Sequence, residues 1–336
     1  TISDMDIQGS VGPAVNLVKS TSILLQRVLI REGESVGVAA NISKAAMDGC
    51  VIWSNQSSAL YMGDGAEMGI TNSVLQAFGN GRYCYSSPSN AIIRADYNNL
   101  FIQNGAQIAS INGLQYEELP QWVRGKSQDR HSLSTDPLFH DPANGDFHPR
   151  SVAGRYHAVH GWTNDVPEGA RGRRDADPCE GLYPELNPES TDYSPLIDMG
   201  SPRTAWSNEP SPNGGRRNIG LYGNTWQDSK SNTNEWLRAV TAMSGGILYG
   251  GVNLVWGFGS AVATNAMARF EYSFNNGLDW VRIGESSVGA GEYYWQSDLR
   301  QAGIELWLTS PGARWRIYLL ENTNVVDMTD TYFGLR

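Results

Sequence analysis

Four segments of this chain repeat one another. Gln26-Arg-Val-Leu-Ile-Arg-Glu32, Asp48-Gly-Cys-Val-Ile-Trp-Ser-Asn55, Thr71-Asn-Ser-Val-Leu-Gln-Ala77 and Tyr97-Asn-Asn-Leu-Phe-Ile-Gln103 align with Val28, Val51, Val74 and Leu100 in one column, at spacings of 23, 23 and 26 residues. Ile7, 21 residues before Val28, joins the same column. A repeat this short cannot bury its apolar face alone and has to stack on its neighbours.

Each unit carries three short apolar runs. Val15-Asn-Leu17 recurs as Val38-Ala-Ala40 and near Leu60-Tyr-Met62. Ser22-Ile-Leu-Leu25 recurs as Ala45-Ala-Met47, Met68-Gly-Ile70 and Ala91-Ile-Ile93. The third run is the column above. Three strands per turn, separated by Gly, Ser, Asn and Asp, predict a parallel β-helix over residues 1–112 in which each strand pairs with its counterpart one turn away. A leucine-rich repeat is the competing architecture, but its fixed Leu and Asn spacing is missing. A second apolar column, Leu29/Ile52/Leu75/Phe101, runs beside the first. Alternation allows only one of the two to face the coil interior, and both choices stay open at this stage.

Composition narrows the partners. The formal net charge of −10 argues against a nucleic-acid surface and leaves cations or neutral sugars. Eleven Trp and 15 Tyr against 8 Phe is a surplus of rings with a polar handle, common in sugar-binding β-proteins. Cys50, Cys84 and Cys179 form no CxxC pair, so neither a disulfide framework nor a zinc site is implied. No apolar run of 18 residues exists, so no membrane-spanning helix is expected. Thr1-Ile2 begins inside a repeat, from which an upstream portion is expected.

Residues 113–232 are polar and rich in Pro and Gly. They read as loops and short strands covering the open end of the coil, with a short helix over Tyr116–Val123. All five histidines (His131, His140, His148, His157 and His160) lie here, without HxH or HExxH spacing. Asp141, Asn144 and Asp146 offer hard oxygen ligands close together and are the candidate Ca2+ site, although the rest of a calcium-loop pattern is absent. Arg216 and Arg217 follow Asn213-Gly-Gly215. One of them is expected to be pinned to a buried carboxylate such as Asp198, the alternative being a guanidinium offered to an acidic sugar.

Residues 233–336 switch to strand alternation: Val252–Trp256, Ala268–Tyr272, Trp280–Ile283, Glu292–Trp295, Ile304–Leu308 and Trp315–Leu319. Glu271, Arg282, Glu305 and Arg316 mark one wet face. Six or seven strands in about 100 residues predict a β-sandwich of immunoglobulin or fibronectin-III type. Ser273-Phe-Asn-Asn-Gly-Leu-Asp-Trp280 resembles an Asp-box hairpin, with Asn275 and Asp279 in place of its usual Asp and Thr. Asn276-Gly277 is expected at the hairpin tip and Trp280 folded back over it.

The resemblance extends beyond the period. Ser134-Thr-Asp-Pro-Leu-Phe139, Asp141-Pro-Ala-Asn-Gly-Asp-Phe-His148, Tyr193-Ser-Pro-Leu-Ile-Asp-Met-Gly-Ser-Pro202 and Asn213-Gly-Gly-Arg-Arg-Asn-Ile-Gly-Leu-Tyr-Gly223 resemble the closing segments of bacterial right-handed parallel β-helix repeat proteins. The resemblance covers roughly residues 1–228 and implies an all-β fold, a right-handed parallel β-helix followed by the β-sandwich, in an extracellular or cell-surface setting. It implies little about activity.

Two functions follow as expectations. The first is a non-catalytic structural or adhesive surface protein, contacting glycans, other surface components or further copies of itself. The alternative is a polysaccharide lyase or glycoside hydrolase acting on acidic polysaccharides. A hydrolase needs two carboxylates about 5–10 Å apart, and a lyase needs a base plus a cation. Asp48 and Asp96 lie near equivalent positions two turns apart, roughly 10 Å by strand spacing, with Arg94 close by. These three are the candidate catalytic residues.

Overall fold

A computed structural model describes residues 1–89, 91–157, 161–163, 193–248, 250–275, 277–296 and 313–335. Its N-terminal part is a parallel β-solenoid of about five turns. One face is built from Val15–Val18, Val38–Asn41, Leu60–Met62, Tyr83–Ser87 and Gln107–Ile111, closed by an antiparallel strand, Leu114–Tyr116. The other two faces form one continuous sheet, because Ile2–Gln8 and Ile23–Arg31 run unbroken around the corner between them.

Register is set at that corner. Ile2 lies over Leu25, Gln26 over Asp48, Asp48 over Thr71 and Thr71 over Asp96, giving steps of 23, 22, 23 and 25 residues. Asp4, Arg27, Gly49, Asn72 and Tyr97 occupy the corner in successive turns, all left-handed with φ between 51° and 65°. Left-handed backbone bends the strand sharply and costs non-Gly residues roughly 1–2 kcal/mol apiece, so neighbouring turns must hold it.

The 22-residue step corrects the column read from the sequence. Val51 does lie over Val74, but Leu29, not Val28, precedes them and Asn99, not Leu100, follows. The second column is Ile7, Ile30, Ile52, Leu75 and Leu100. The expected stacking of Val28 directly on Val51 is therefore wrong by one residue. In the second run the slip is two residues: Ile93 and Ala95, not Ala91 and Ile93, continue Met68 and Ile70.

Alternation then resolves the open choice. Ile30, Ile52, Leu75 and Leu100 fill the coil interior together with Met47, Met68 and Ile70. Leu29, Val51 and Val74 point outward and are buried all the same, against Phe139, Phe147, Leu196 and Ile219 of the closing region. Trp53 extends this outer layer, stacked on Phe101 at 5.8 Å and meeting Phe139 and Phe147 edge-on. Phe139, Phe147, Leu196 and Ile219 thus place described parts of the closing region along one flank of the solenoid. Its open end is covered by the helix Leu119–Lys126, whose buried Trp122 sits against Tyr85 and Tyr116.

The C-terminal region holds a three-stranded sheet (Leu237–Ala239, Gly251–Phe258, Glu292–Gln296), a four-stranded antiparallel sheet (Met267–Ser273, Val281–Ser287, Arg314–Leu319, Val326–Met328) and a parallel pair (Gly246–Leu248, Phe333–Leu335). The sheets share a core of Trp256, Phe270, Trp315 and Ile317. Trp236, Val240, Met243 and Val255 join the outer layer of the solenoid instead. Ile304–Leu308 and Glu305 lie outside the described residues. Glu271 is buried beneath Arg316 and Tyr318, which both bind its carboxylate, so the predicted wet face is partly closed. Ser273 Oγ accepts from the Gly277 amide at 2.8 Å, and Trp280 covers Gly277, as an Asp-box-like turn requires. Asn276 lies outside the described residues. The Trp280 ring is half-buried under the Arg316 guanidinium at 4.1 Å rather than in the core.

Leu29→Ala removes an outward side chain that is 3% exposed. It is expected to cost about 2–5 kcal/mol in urea denaturation, as much as Leu75→Ala inside the coil. A cost within about 0.5 kcal/mol, normal for a surface position, would show that the closing region does not cover this flank.

Candidate functional site

The register brings Asp48, Thr71 and Asp96 into one outward column beside the corner. Asp48 and Asp96 are therefore two strand spacings apart, roughly 10 Å, as the sequence reading expected. Arg94 does not join them. Its guanidinium reaches down to Glu67 at 3.0 Å, in a surface chain that also includes Lys44.

Asp48 sits in the seam between coil and closing region. Arg217 Nη1 donates to both of its oxygens, at 2.8 and 3.1 Å, and Asn72 Nδ2 donates at 2.8 Å. Asn72 also accepts the amide of Ser201 at its side chain and that of Gly220 at its carbonyl. A Cβ on Gly49 would lie 2.4 Å from Arg217 Nη2, and one on Gly223 would lie 2.7 Å from Nε. A side chain at either position would crowd the guanidinium, and Gly223 is the glycine of the Gly-Gly-Arg-Arg-Asn-Ile-Gly-Leu-Tyr-Gly motif that makes this room. The pinned arginine is Arg217, and its partner is Asp48 rather than Asp198. Arg216 donates from Nε to the Gly200 carbonyl at 2.5 Å and lies over the Tyr97 ring. Burial holds its pKa below the usual arginine range.

Asp96 ties the cap to the coil. Its Oδ1 accepts the backbone amides of Tyr97 and His131, and Oδ2 binds His131 Nδ1 at 2.7 Å. The imidazole stacks on Tyr97 at 4.8 Å and 5°. Burial, then the charge of Asp96, raises the Tyr97 phenol above its ordinary pKa. A half-exposed carboxylate–imidazole pair of this kind can position and polarise a ring for proton transfer. His131 carries no motif and lies 35 residues from Asp96, so nothing local in the sequence marks it.

The calcium candidates are also engaged. Asn144 donates to Asp141 at 2.7 Å across a single 3-10 turn. Asp146 binds His148 Nδ1 through Oδ1 and Arg155 Nη1 through Oδ2. Burial alone would raise Asp146, but His148 and Arg155 outweigh it and hold the carboxyl below its usual range. No group of three or more metal-ligating acids, histidines or cysteines occurs among the described residues. Cys50 and Cys84 are free and buried, and burial pushes the Cys50 thiol up to about 11. Cys179, His160 and the cluster 171–177 lie outside the described residues.

Three carboxyls with raised pKa lie deeper in the closing region. Burial pushes Asp198 up to about 7, even with Ser231 and the Gly214 amide donating to it. Burial, then the charge of Asp228, drives Glu209 far above the ordinary carboxyl range, and burial raises Asp228 as well. Glu209 Oε1 accepts the amides of Asn218 and Asn224, while its Oε2 and Asp228 Oδ2 are buried acceptors without a donor. One proton shared by the two carboxyls satisfies both. This pair is a structural brace inside the lobe, out of reach of a polymer.

Two measurements test these assignments. Arg217→Ala strands Asp48 in the seam and is expected to cost about 3 kcal/mol, whereas Arg94→Ala leaves the melting midpoint unchanged. The raised carboxyls hold protons in the folded state that the unfolded chain has released. Their stabilisation is complete below about pH 4 and falls as pH rises, by about 1.4 kcal/mol per pH unit per retained proton. Asp198 contributes to about pH 7 and the Glu209–Asp228 pair beyond it. Glu209→Gln donates to Asp228 without titrating, so it should flatten the decline above pH 7; an unchanged slope would remove the shared proton. No family model, curated protein or solved structure matches this chain.

Proposed function

We propose that this chain is a non-catalytic structural or adhesive module of an extracellular or cell-surface protein, able to contact glycans. In this reading the solenoid is a right-handed β-helix and the C-terminal region an immunoglobulin or fibronectin-III-like sandwich presented at its end. Right-handed crossover is the strong default for parallel strands joined by such connections, and two sheets sharing one aromatic core fit a sandwich.

The carrying observation is how the aligned carboxylates are used. Asp48 has both oxygens held by Arg217 and Asn72, and Asp96 holds the cap through His131. A hydrolase pair needs one carboxyl free to give a proton and another free to attack or activate water. Here the column works as a row of fasteners between coil and closing region.

A second reading, a lyase or hydrolase of acidic polysaccharides, draws on the half-exposed Asp96–His131 pair with Tyr97 and Arg216 beside it. Purified protein incubated with pectin, alginate and glycosaminoglycans, with and without calcium, is expected to retain polymer without shortening it. Depolymerisation that disappears in His131→Ala and Asp96→Asn, with the melting midpoint preserved, would replace the first reading by the second.

A further inference from the structure

A cavity of about 240 Å3 opens between the capping helix and the C-terminal region. Leu119 and Val123 line it from the helix, and Leu248 and Val252 line it from the C-terminal strands. Its volume is below the 300–1,000 Å3 typical of drug-sized ligands and suits one six-membered ring.

The polar groups around this apolar floor are arranged asymmetrically. Tyr294 lines it with a ring that is 61% exposed yet fixed in place. Its hydroxyl donates to Gln296 at 2.9 Å, and the ring crosses Gly251, where any Cβ would collide with it. A fixed, exposed phenol ring is a ready platform for the apolar face of a sugar, because little entropy is lost on binding. Arg124 and Arg130 also line the cavity. Two cations at one mouth stand out on a chain of net charge −10. Arg130 is half exposed and held only loosely, 3.7 Å from Glu292, whose carboxylate also accepts from Asn253 Nδ2 at 3.0 Å. Asp129 at the base is satisfied by Tyr85, Trp122, Asn98 and Ser132, so it makes no demand on a ligand.

We infer that this cavity binds a single carboxylated sugar ring, the terminal uronic acid of an acidic glycan. The ring lies on Tyr294, a hydroxyl meets Asn253, and the carboxylate takes the place of Glu292 on Arg130 in a charge-assisted hydrogen bond. The inference rests on the glycan-contacting part of the proposed function and gives that contact a place and a ligand class.

The test is titration of the full chain with methyl glucuronide and methyl galacturonide, followed by ligand-observed NMR and calorimetry. The matching neutral methyl glycosides and cyclohexanecarboxylate serve as comparisons. The uronides are expected to bind at least about tenfold more tightly than either comparison class. Arg130→Ala should weaken them by about tenfold, and Glu292→Gln, which frees Arg130, should tighten them by about threefold or more. Val252→Trp fills the cavity and should abolish binding in protein that still shows a cooperative melting transition. Equal binding of neutral glycosides, equal binding of cyclohexanecarboxylate, or binding that survives Val252→Trp overturns the inference. If intact acidic polysaccharide is retained while no uronide binds, the cavity assignment falls and the glycan-contacting reading stands. If neither binds, both fall.

Discussion

Everything in the solenoid depends on one backbone corner. At Asp4, Arg27, Gly49, Asn72 and Tyr97 the chain turns through left-handed φ, and just after the last four of these turns a residue is completely buried: Val28, Cys50, Ser73 and Asn98. Burying an amide there without a partner would cost several kcal/mol in total. The next turn supplies the partner. Ser73 Oγ accepts the Cys50 amide, Asn98 Oδ1 accepts the Ser73 amide and Ser132 Oγ accepts the Asn98 amide. Each turn therefore completes the one before it, and Ser132 lets the capping segment act as a further rung.

The same corner explains why the chain does not end with its coil. Strand alternation after the bend puts Leu29, Val51 and Val74 on the outside, where a free-standing solenoid would expose them to water. The closing region covers this stripe, and it is fastened at the corner by polar contacts aimed at Asp48 and Asn72. Hydrophobic burial provides the attraction, and the Arg217–Asp48 pair fixes the position, since apolar contact alone has little directionality. Trp236, Val240 and Met243 continue the same layer into the C-terminal region. Coil, closing region and C-terminal strands thus share apolar surface, and the cavity lies between the capping helix and the C-terminal strands.

Much of this was legible in the sequence. The period and the three runs per turn predicted the parallel coil, and the alternation after residue 250 predicted most of the later strands. The register was harder, for a physical reason. Val28 and Leu29 are both apolar and both buried, one at the corner and one on the outer flank. Hydrophobicity therefore could not tell that the step from the second turn to the third is 22 residues. The left-handed corner would have been the better guide, but Gly49 and Asn72 reveal it while Arg27 and Tyr97 do not. Asp48 and Asp96 could be aligned because a column is a one-dimensional property. Arg217 and His131 could not be assigned to them, since their contacts cross 169 and 35 residues with no periodicity to follow. The cavity was invisible for the same reason, its lining being drawn from residues 119 to 294.

Stacked folds also demand a stricter standard for naming catalytic pairs. In a solenoid any two acidic residues at equivalent positions stand at multiples of about 4.8 Å. One- and two-turn separations fall automatically inside the range that glycoside chemistry uses. Spacing therefore carries almost no information about catalysis in this architecture. What discriminates is whether a carboxyl's hydrogen-bonding capacity is left open to a substrate. Both oxygens of Asp48 are taken, and Asp96 is joined to His131 by two hydrogen bonds, one from the backbone and one from the ring. The raised carboxyls Asp198, Glu209 and Asp228 are sealed in the closing lobe. Perturbation without access is the signature of a brace, whereas the exposed, fixed ring of Tyr294 beside Arg130 combines access with preorganisation.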